Sequence, residues 1–389
     1  MTLSRVKASV LHGARDLRLE ERELGPLGPQ DVQVAVKTTG LCGSDLHYFN
    51  HFRNGDILVR EPLTLGHESA GIVTAVGSDV TALRVGDPVA LEVGLPCGSC
   101  RHCRSNAYNI CPDMRFRSSA KAFPHAQGTL QEAITHPARW CHKLPPAVSL
   151  ELGGLAEPLS VAIHACDRAQ IDDKVAADVL VLGAGTVGLL CAAVARSLNQ
   201  RVAIADIQPD RVRFALDNGF AHAGYVVPPT SGGTIDEKLQ RAKNLAEDIK
   251  AGSAWREEKD HGDHPGPQRP FQFDVAFECT GVESSLQTAI YATNPGGLVM
   301  IIGMGNPVQT LPISAAALRE VDLRGVFRYR NTYPRAIELL AKGNPNLPDL
   351  SKLITHRFQG LGSIPRAFDT AARVKDDHGK LVLKVMVEL

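Results

Sequence analysis

Short runs in which apolar and polar residues alternate with a period of two fill residues 1 to about 155, as in Val32-Gln33-Val34-Ala35-Val36 and Ala70-Gly71-Ile72-Val73-Thr74-Ala75-Val76-Gly77. Glycine and proline turns separate them. Residues two apart share one face of a strand, so this part predicts a β-rich domain. From about residue 175 the pattern changes. Val179–Leu182, Arg201–Ala205, Asp274–Phe277 and Val299–Ile302 read as short apolar strands, with helices over Gly188–Leu198 and Pro209–Asn218. Strand and helix in alternation predict a doubly wound α/β unit, a parallel sheet covered by helices. Beyond about 305 mixed segments return, with a helix over Tyr333–Lys342 and a last strand over Leu381–Val387. They predict a return to the first domain, leaving the α/β unit inserted within it. Residues 228–270 are polar and interrupted, with a charged helical piece over Asp236–Lys250, and predict a surface insertion.

The length of 389 residues exceeds one ordinary core and suits two domains. Lysine plus arginine equal aspartate plus glutamate at 42 each, so no net field draws nucleic acid or an anionic membrane, and a neutral small molecule suits the balance. The start, MTLSRVKASVLHGARDL, has no apolar core of signal-peptide length, and a cytoplasmic protein is expected. The uncharged run Val179 to Ala195 is shorter than the roughly 20 residues of a membrane span and contains glycines, so it reads as strand, turn and helix.

Nine cysteines in a reducing compartment point away from disulfides. Cys97, Cys100, Cys103 and Cys111 form C-x2-C-x2-C-x7-C, a spacing that lets one loop wrap four thiolates around a tetrahedral ion. A shell closed by four thiolates has no open position, so its role is structural. Zinc is favoured because nothing nearby supplies an electron-transfer setting, although the bare spacing also fits an iron–sulfur cluster. A zinc ribbon that binds nucleic acid is disfavoured, since Arg101, His102 and Arg104 lack a wider basic field.

The strand Val179-Leu180-Val181-Leu182 runs into Gly183-Ala184-Gly185-Thr186-Val187-Gly188 and an apolar helix, which is G-x-G-x-x-G in its strand–turn–helix setting. Gly183 permits the turn, Gly185 lets the backbone approach a pyrophosphate, and Gly188 allows helix and strand to pack. Asp206 ends the next strand at about the 20-residue distance where a carboxylate meets ribose hydroxyls and repels a 2′-phosphate. Ile207 follows where an NADP-binding chain places arginine, so NAD is the expected cofactor.

Outside the cysteine cluster, Cys42 in Leu41-Cys42-Gly43-Ser44-Asp45-Leu46-His47 and the pair His67-Glu68 offer a thiolate, an imidazole and a carboxylate for a second metal. Read alone, such a pair is more often a surface hydrogen bond and a single cysteine more often core.

Five segments together resemble the zinc-containing medium-chain dehydrogenases, and most closely their polyol branch, typified by sorbitol and xylitol dehydrogenases. They are CGSDLHY at 42–48, GHESAGIVTAVG at 66–77, the four-cysteine lobe, LAEPLSVAIHAC at 155–166 and GVFRYRNTYP at 325–334. The resemblance runs nearly end to end. It implies a Rossmann NAD-binding domain over 161–305 inserted into a GroES-like catalytic domain over 1–160 and 306–389. It implies two zinc ions per subunit: a catalytic one on Cys42, His67 and Glu68, with Glu157 beside it, and a structural one in the lobe. Ser44 and His47 would help move the proton or orient the reactants; their plain alternative is a turn-stabilising serine and a satisfied histidine.

Arg328, Tyr329, Tyr48, Phe116 and Glu157 would shape the substrate pocket, though each aromatic also suits ordinary core. Gly183, Gly185, Val187, Gly188, Asp206, Arg211, Ile302, Gly303, Met304, Phe327 and Arg328 would line the cofactor, and Arg211 alone also reads as a solvated helix charge. The implied reaction oxidises a secondary hydroxyl of a sugar alcohol to a ketose, D-sorbitol to D-fructose or xylitol to D-xylulose, in a homotetramer. L-arabinitol and galactitol remain open, as does a non-catalytic zinc-binding scaffold. One departure bears on the choice: residues 118–128, SSAKAFPHAQG, are longer than the family's usual turn there and follow Phe116.

Overall fold

A computed structural model describes residues 5–229, 232–252 and 271–389. The chain divides into two compact units, one running to Ser160 and including Tyr329–Gly343 and Leu350–Leu389, the other comprising Val161–Arg328 and Asn344–Asp349.

The first unit is built on a seven-stranded sheet. Its order is Cys141–Lys143, Pro88–Leu91, Glu68–Val76, Asp31–Gly40, Lys384–Glu388 and Ile354–Gln359, with Ala133–Pro137 also paired to Asp31–Gly40. The central strand Asp31–Gly40 is buried along most of its length because it has neighbours on both edges and cover on both faces. Its last residue fixes the local register: Gly40 lies opposite Glu68 on one side and Met386 on the other. A smaller sheet orders Asp16–Glu23, Arg5–Gly13 and Leu63–Thr64. Leu11, Leu65, Leu130, Ile364, Phe368 and Val385 are buried in one cluster of this unit, with Phe49 stacked on Phe368 at 4.7 Å. Each such side chain contributes about 1.5–3 kcal/mol by leaving water.

The second unit is a six-stranded, all-parallel sheet in the order Ala223–Val226, Arg201–Asp206, Asp178–Leu182, Phe273–Glu278, Thr293–Ile301 and Asp322–Gly325. This is the doubly wound Rossmann order. The chain reverses direction across the sheet between Asp178–Leu182 and Phe273–Glu278, where such folds hold their ligands.

Three expectations need correction. The two outermost strands, Ala223–Val226 and Asp322–Gly325, were not foreseen, being only four residues long and too short to show a period. Because Asp322–Gly325 completes the parallel sheet, the second unit continues to Arg328, and the return to the first unit falls at Tyr329 instead of 306. The expected surface insertion at 228–270 is in part a regular crossover. Helix Ile235–Gly252 buries Ala242, Ala246 and Ile249, the last two in the core of the α/β unit, and only its outer face is charged. Residues 230–231 and 253–270 of that segment lie outside the described residues. None of the described helices is long and apolar enough to cross a membrane.

Candidate active site

In the first unit, Cys42 precedes helix Gly43–His51, and His67 and Glu68 stand at the start of strand Glu68–Val76. One ligand atom from each comes within 4.8 Å of the others, so a single ion can be reached by all three. His67 and Glu68 are buried and Cys42 is half-buried, and three protein donors leave the fourth position of a tetrahedral ion open.

His67 is oriented from behind by a residue the sequence reading passed over. Asp45, fully buried, lies with Oδ2 3.3 Å from His67 Nδ1, an ion-pair contact outside hydrogen-bond geometry. Its Oδ1 accepts from Gly66 N at 3.2 Å and Ser118 Oγ at 2.5 Å, and Oδ2 from Cys42 N at 3.4 Å. With Nδ1 turned to a carboxylate, Nε2 is left to act as the ligand, the arrangement metal-binding histidines commonly have. Burial alone would push this imidazole toward neutrality. Asp45 and Cys42 outweigh it and raise the pKa well above the ordinary histidine range, so the set attracts positive charge. A thiolate, an imidazole and a carboxylate within reach of one point are donors that zinc takes, so the residues present fit a zinc ion.

Glu68 is held by a second unforeseen residue. Lys384, 3% exposed, donates from Nζ to Glu68 Oε1 at 2.9 Å, Glu68 Oε2 at 2.6 Å and Leu41 O at 3.0 Å. Burial works against the ammonium, and the negative charges of Glu68, Cys42 and Glu157 outweigh it. The Glu68 carboxylate lies over Gly40, where a Cβ would stand 2.3 Å from Oε2. Only glycine leaves room for it.

Ser44 Oγ lies 3.4 Å from Cys42 Sγ, while His47, one helical turn further, is exposed. Glu157 is buried in the first turn of helix Ala156–Ala169, outside the three-residue set but near enough to act electrostatically on Lys384, Tyr329 and Tyr333. Phe116 meets the His67 ring edge-on at 5.5 Å. Tyr48 belongs to the apolar core, and its hydroxyl accepts from Ala120 N at 3.2 Å. Tyr329 is buried against Tyr333, ring to ring at 5.4 Å.

The unusual 118–128 segment is tied down at several points. Besides the bond from Ser118 to Asp45, His125 Nδ1 contacts Ala122 O at 2.7 Å and its Nε2 accepts from Arg60 N at 2.9 Å. Behind Phe116 runs a buried polar chain. Arg117 donates to His136 Nδ1 at 3.2 Å, and His136 Nε2 donates to Glu92 O at 3.0 Å. The Glu92 carboxylate accepts from Tyr108 Oη at 2.6 Å and contacts His142 Nε2 at 2.7 Å.

The four lobe cysteines also place their sulfurs within 4.8 Å of one another. Cys100 N and Cys103 N point at the sulfurs of Cys97 and Cys100 at 3.3 and 3.5 Å, and Cys97 N at Cys111 Sγ at 3.4 Å. Backbone N–H groups aimed at sulfur suit thiolates, so this lobe fits a second, four-thiolate ion.

In the second unit, Gly183 takes φ +100° and a Cβ on Gly188 would fall 1.8 Å from Gly183 O, so both positions demand glycine. Gly185 opens onto free space at the N-terminus of helix Thr186–Ser197, which includes Val187. That fits the close approach of a pyrophosphate. Asp206 is buried beside this turn, its carboxylate accepting from Ala184 N at 2.6 Å and Gln208 N at 2.8 Å. Among the described residues, none accepts from the buried Arg211 Nε. Ile302 N and Gly303 N both donate to Glu278 O, Met304 is exposed, and the Arg328 guanidinium lies over the Phe327 ring at 4.7 Å. Arg328 thus belongs to the nucleotide-binding unit, whereas its neighbour Tyr329 belongs to the other.

A GroES-like unit with an open thiolate–imidazole–carboxylate site, together with a Rossmann unit bearing a complete glycine turn, defines a metal- and nicotinamide-dependent dehydrogenase. Residues 28–146 match the alcohol dehydrogenase GroES-like domain and residues 186–342 the zinc-binding dehydrogenase domain. The chain is 40% identical to sorbitol dehydrogenase of Arabidopsis thaliana over 385 residues, 98% of this chain and 95% of that protein. It is 37% identical to L-idonate 5-dehydrogenase of Vitis vinifera over 384 residues, 98% of this chain and 94% of the relative. Among solved structures, a protein assigned as a zinc-binding dehydrogenase from Sinorhizobium meliloti, bound to NADP, superposes with a TM-score of 0.78 at 25% identity, covering 100% of both chains. The chain belongs to the zinc-containing medium-chain dehydrogenases, in their polyol branch.

Proposed function

We propose that this chain oxidises a secondary hydroxyl of a sugar alcohol to a ketose with NAD, D-sorbitol to D-fructose or xylitol to D-xylulose being the favoured cases. The observation that carries this reading is the convergence of Cys42, His67 and Glu68 on one point, three donors that leave a fourth position for substrate, with Asp45 beside His67. When bound there, zinc supplies charge that lowers the pKa of a hydroxyl, and oxidised nicotinamide supplies the hydride acceptor.

The protein's own residues do the rest. Asp45 holds the His67 ring so that Nε2 faces the set. Ser44, beside Cys42, relays the hydroxyl proton, accepting it as its own hydroxyl proton is released toward exposed His47 one turn along and from there to solvent. Glu157, a buried carboxylate near the set, accepts hydrogen bonds from neighbouring hydroxyls of a polyol, while Phe116, Tyr48 and Tyr329 exclude water, and Arg328 binds a further hydroxyl. A monohydric alcohol offers Glu157 nothing to hold.

In the second unit Gly183, Gly185, Val187 and Gly188 seat the pyrophosphate. Asp206 accepts the ribose hydroxyls and Arg211 covers the adenosine end. Ile302, Gly303, Met304 and Phe327 line the nicotinamide end. The NAD assignment rests on the Asp206 carboxylate, which repels a 2′-phosphate, with Ile207 in place of an arginine. Cys97, Cys100, Cys103 and Cys111 hold the structural zinc. The domain bounds are Ser160 and Tyr329, and the assembly implied by the family is a cytoplasmic homotetramer.

The deciding experiment measures reduced-cofactor formation with NAD and with NADP across sorbitol, xylitol, L-arabinitol, galactitol, L-idonate and a simple secondary alcohol. We expect sorbitol or xylitol with NAD to give the highest kcat/KM. A preference for the acid or the monohydric alcohol would overturn the substrate assignment, and equal use of NADP would overturn the role of Asp206.

A further inference from the structure

The last strand contains one charge in an apolar run, Leu381-Val382-Leu383-Lys384-Val385-Met386-Val387, and that charge is buried. An ammonium taken out of water is strongly unfavourable unless all three donors are used. Here they are. Two go to the two oxygens of Glu68, and the third goes to the carbonyl of Leu41, the residue before Cys42. One cation from the far end of the chain therefore occupies the carboxylate that completes the open metal set, and pins the backbone beside the thiolate of the same set.

We propose that Lys384 is a positioning residue that makes Glu68 a shared ligand, divided between the ammonium and the metal ion, so that the ion's hold on this carboxylate stays weak enough to be released. The inference rests on the zinc reading above and deepens it. A carboxylate has about four lone-pair positions, so it can serve an ammonium and an ion together. Each charge-assisted bond to Nζ nonetheless draws negative charge away from the metal side. The ammonium also repels a divalent ion held at the same carboxylate. Gly40 leaves the carboxylate the space it needs over the strand. The consequence is a metal affinity below what a thiolate, an imidazole and an unshared carboxylate would give, in exchange for a ligand position that can be yielded to substrate.

The test compares Lys384→Met and Lys384→Arg with the unsubstituted full-length protein, loaded with zinc and, separately, with cobalt. Competition with chelators of graded strength reads the affinity of the Cys42 site, and the visible absorption of cobalt reads whether the carboxylate is coordinated. Lys384→Met is expected to hold its ion at least about tenfold more tightly, with a cobalt spectrum changed in the direction of a fuller shell; Lys384→Arg is expected to stay within about twofold of the parent. A folded Lys384→Met protein with unchanged or weaker affinity overturns the inference, because loss of a merely structural ion pair would loosen the site. Should that variant not fold, Lys384→Gln makes the same comparison, since it keeps a donor toward Leu41 O and Glu68 while removing the charge. If the unsubstituted protein binds one ion only, in the four-cysteine lobe, the zinc reading itself fails and takes this inference with it.

Discussion

Gly40→Ala adds a single methyl group where the backbone is ordinary strand, so any effect comes from space alone. The new carbon would stand 2.3 Å from Glu68 Oε2, 3.2 Å from Met386 Sδ and 3.3 Å from Glu68 Cβ. Close carbon–oxygen contacts settle near 3.3 Å, so the carboxylate must retreat by about 1 Å. A glutamate on the surface would do so at little cost. Glu68 cannot, because both its oxygens are bonded to Lys384 in a buried pair and the register opposite Gly40 is set on two sides. Overpacking of this kind costs about 1–3 kcal/mol of stability. A displacement of about 1 Å in a reacting constellation costs about 100-fold in rate. The expected protein is folded, with a slightly lower urea midpoint, kcat/KM for the best polyol reduced about 100-fold, and depleted metal at the Cys42 site after dialysis, the four-cysteine lobe staying loaded. Full kcat/KM with two ions retained would refute the claim that Glu68 acts from the position the Gly40 notch allows.

Two other expectations concern the polar chain behind Phe116 and the cofactor carboxylate. Burial first, then the charge of Arg117, lowers the His136 pKa from 6.5 to about 3, so the unfolded chain takes up this proton before the folded one. Its contribution is intact above the unfolded value and erodes as pH falls toward the folded one, by about 2 kcal/mol between about pH 7.5 and about pH 5. His136→Gln, which can still accept from Arg117 and donate to Glu92 O, should flatten the pH dependence of urea unfolding over that range, and an unchanged slope would show that His136 is not its source. Asp206→Ala removes a charged acceptor, a loss of about 1.5–3 kcal/mol. The ratio of kcat/KM for NAD over NADP should fall at least about tenfold; an unaltered ratio would count against ribose recognition by this residue.

The glycine turn and the cysteine lobe were legible in the chain because each is a local device. Gly183 to Gly188 and Cys97 to Cys111 act within a few residues of one another, where spacing is itself geometry. The α/β class was legible for a related reason, since strands buried on both faces must be short continuously apolar runs and here they alternate with longer helical segments. What the pattern missed was short or mixed. Two four-residue edge strands have no readable period, and helix Ile235–Gly252 hides three buried residues among charges that look like a solvated segment. Asp45 did carry a sign, an acid three residues after the residue that starts a helix, but that pattern usually means only a cap. A charge inside the last apolar strand announced that Lys384 needs a partner without saying which.

The identity of that partner belongs to tertiary structure. Glu68 and Lys384 are 316 residues apart, and Ser118 is 73 residues from the Asp45 carboxylate it supports. They meet because Gly40 aligns with Glu68 on one edge and with Met386 on the other, a register set by packing over the whole sheet. Amino-acid order alone thus determined the kinds of ligand and the two folds that hold them. The folded sheet decided which buried charges face one another, because a buried charge interacts with whatever lies within a few ångströms and takes no account of distance along the chain.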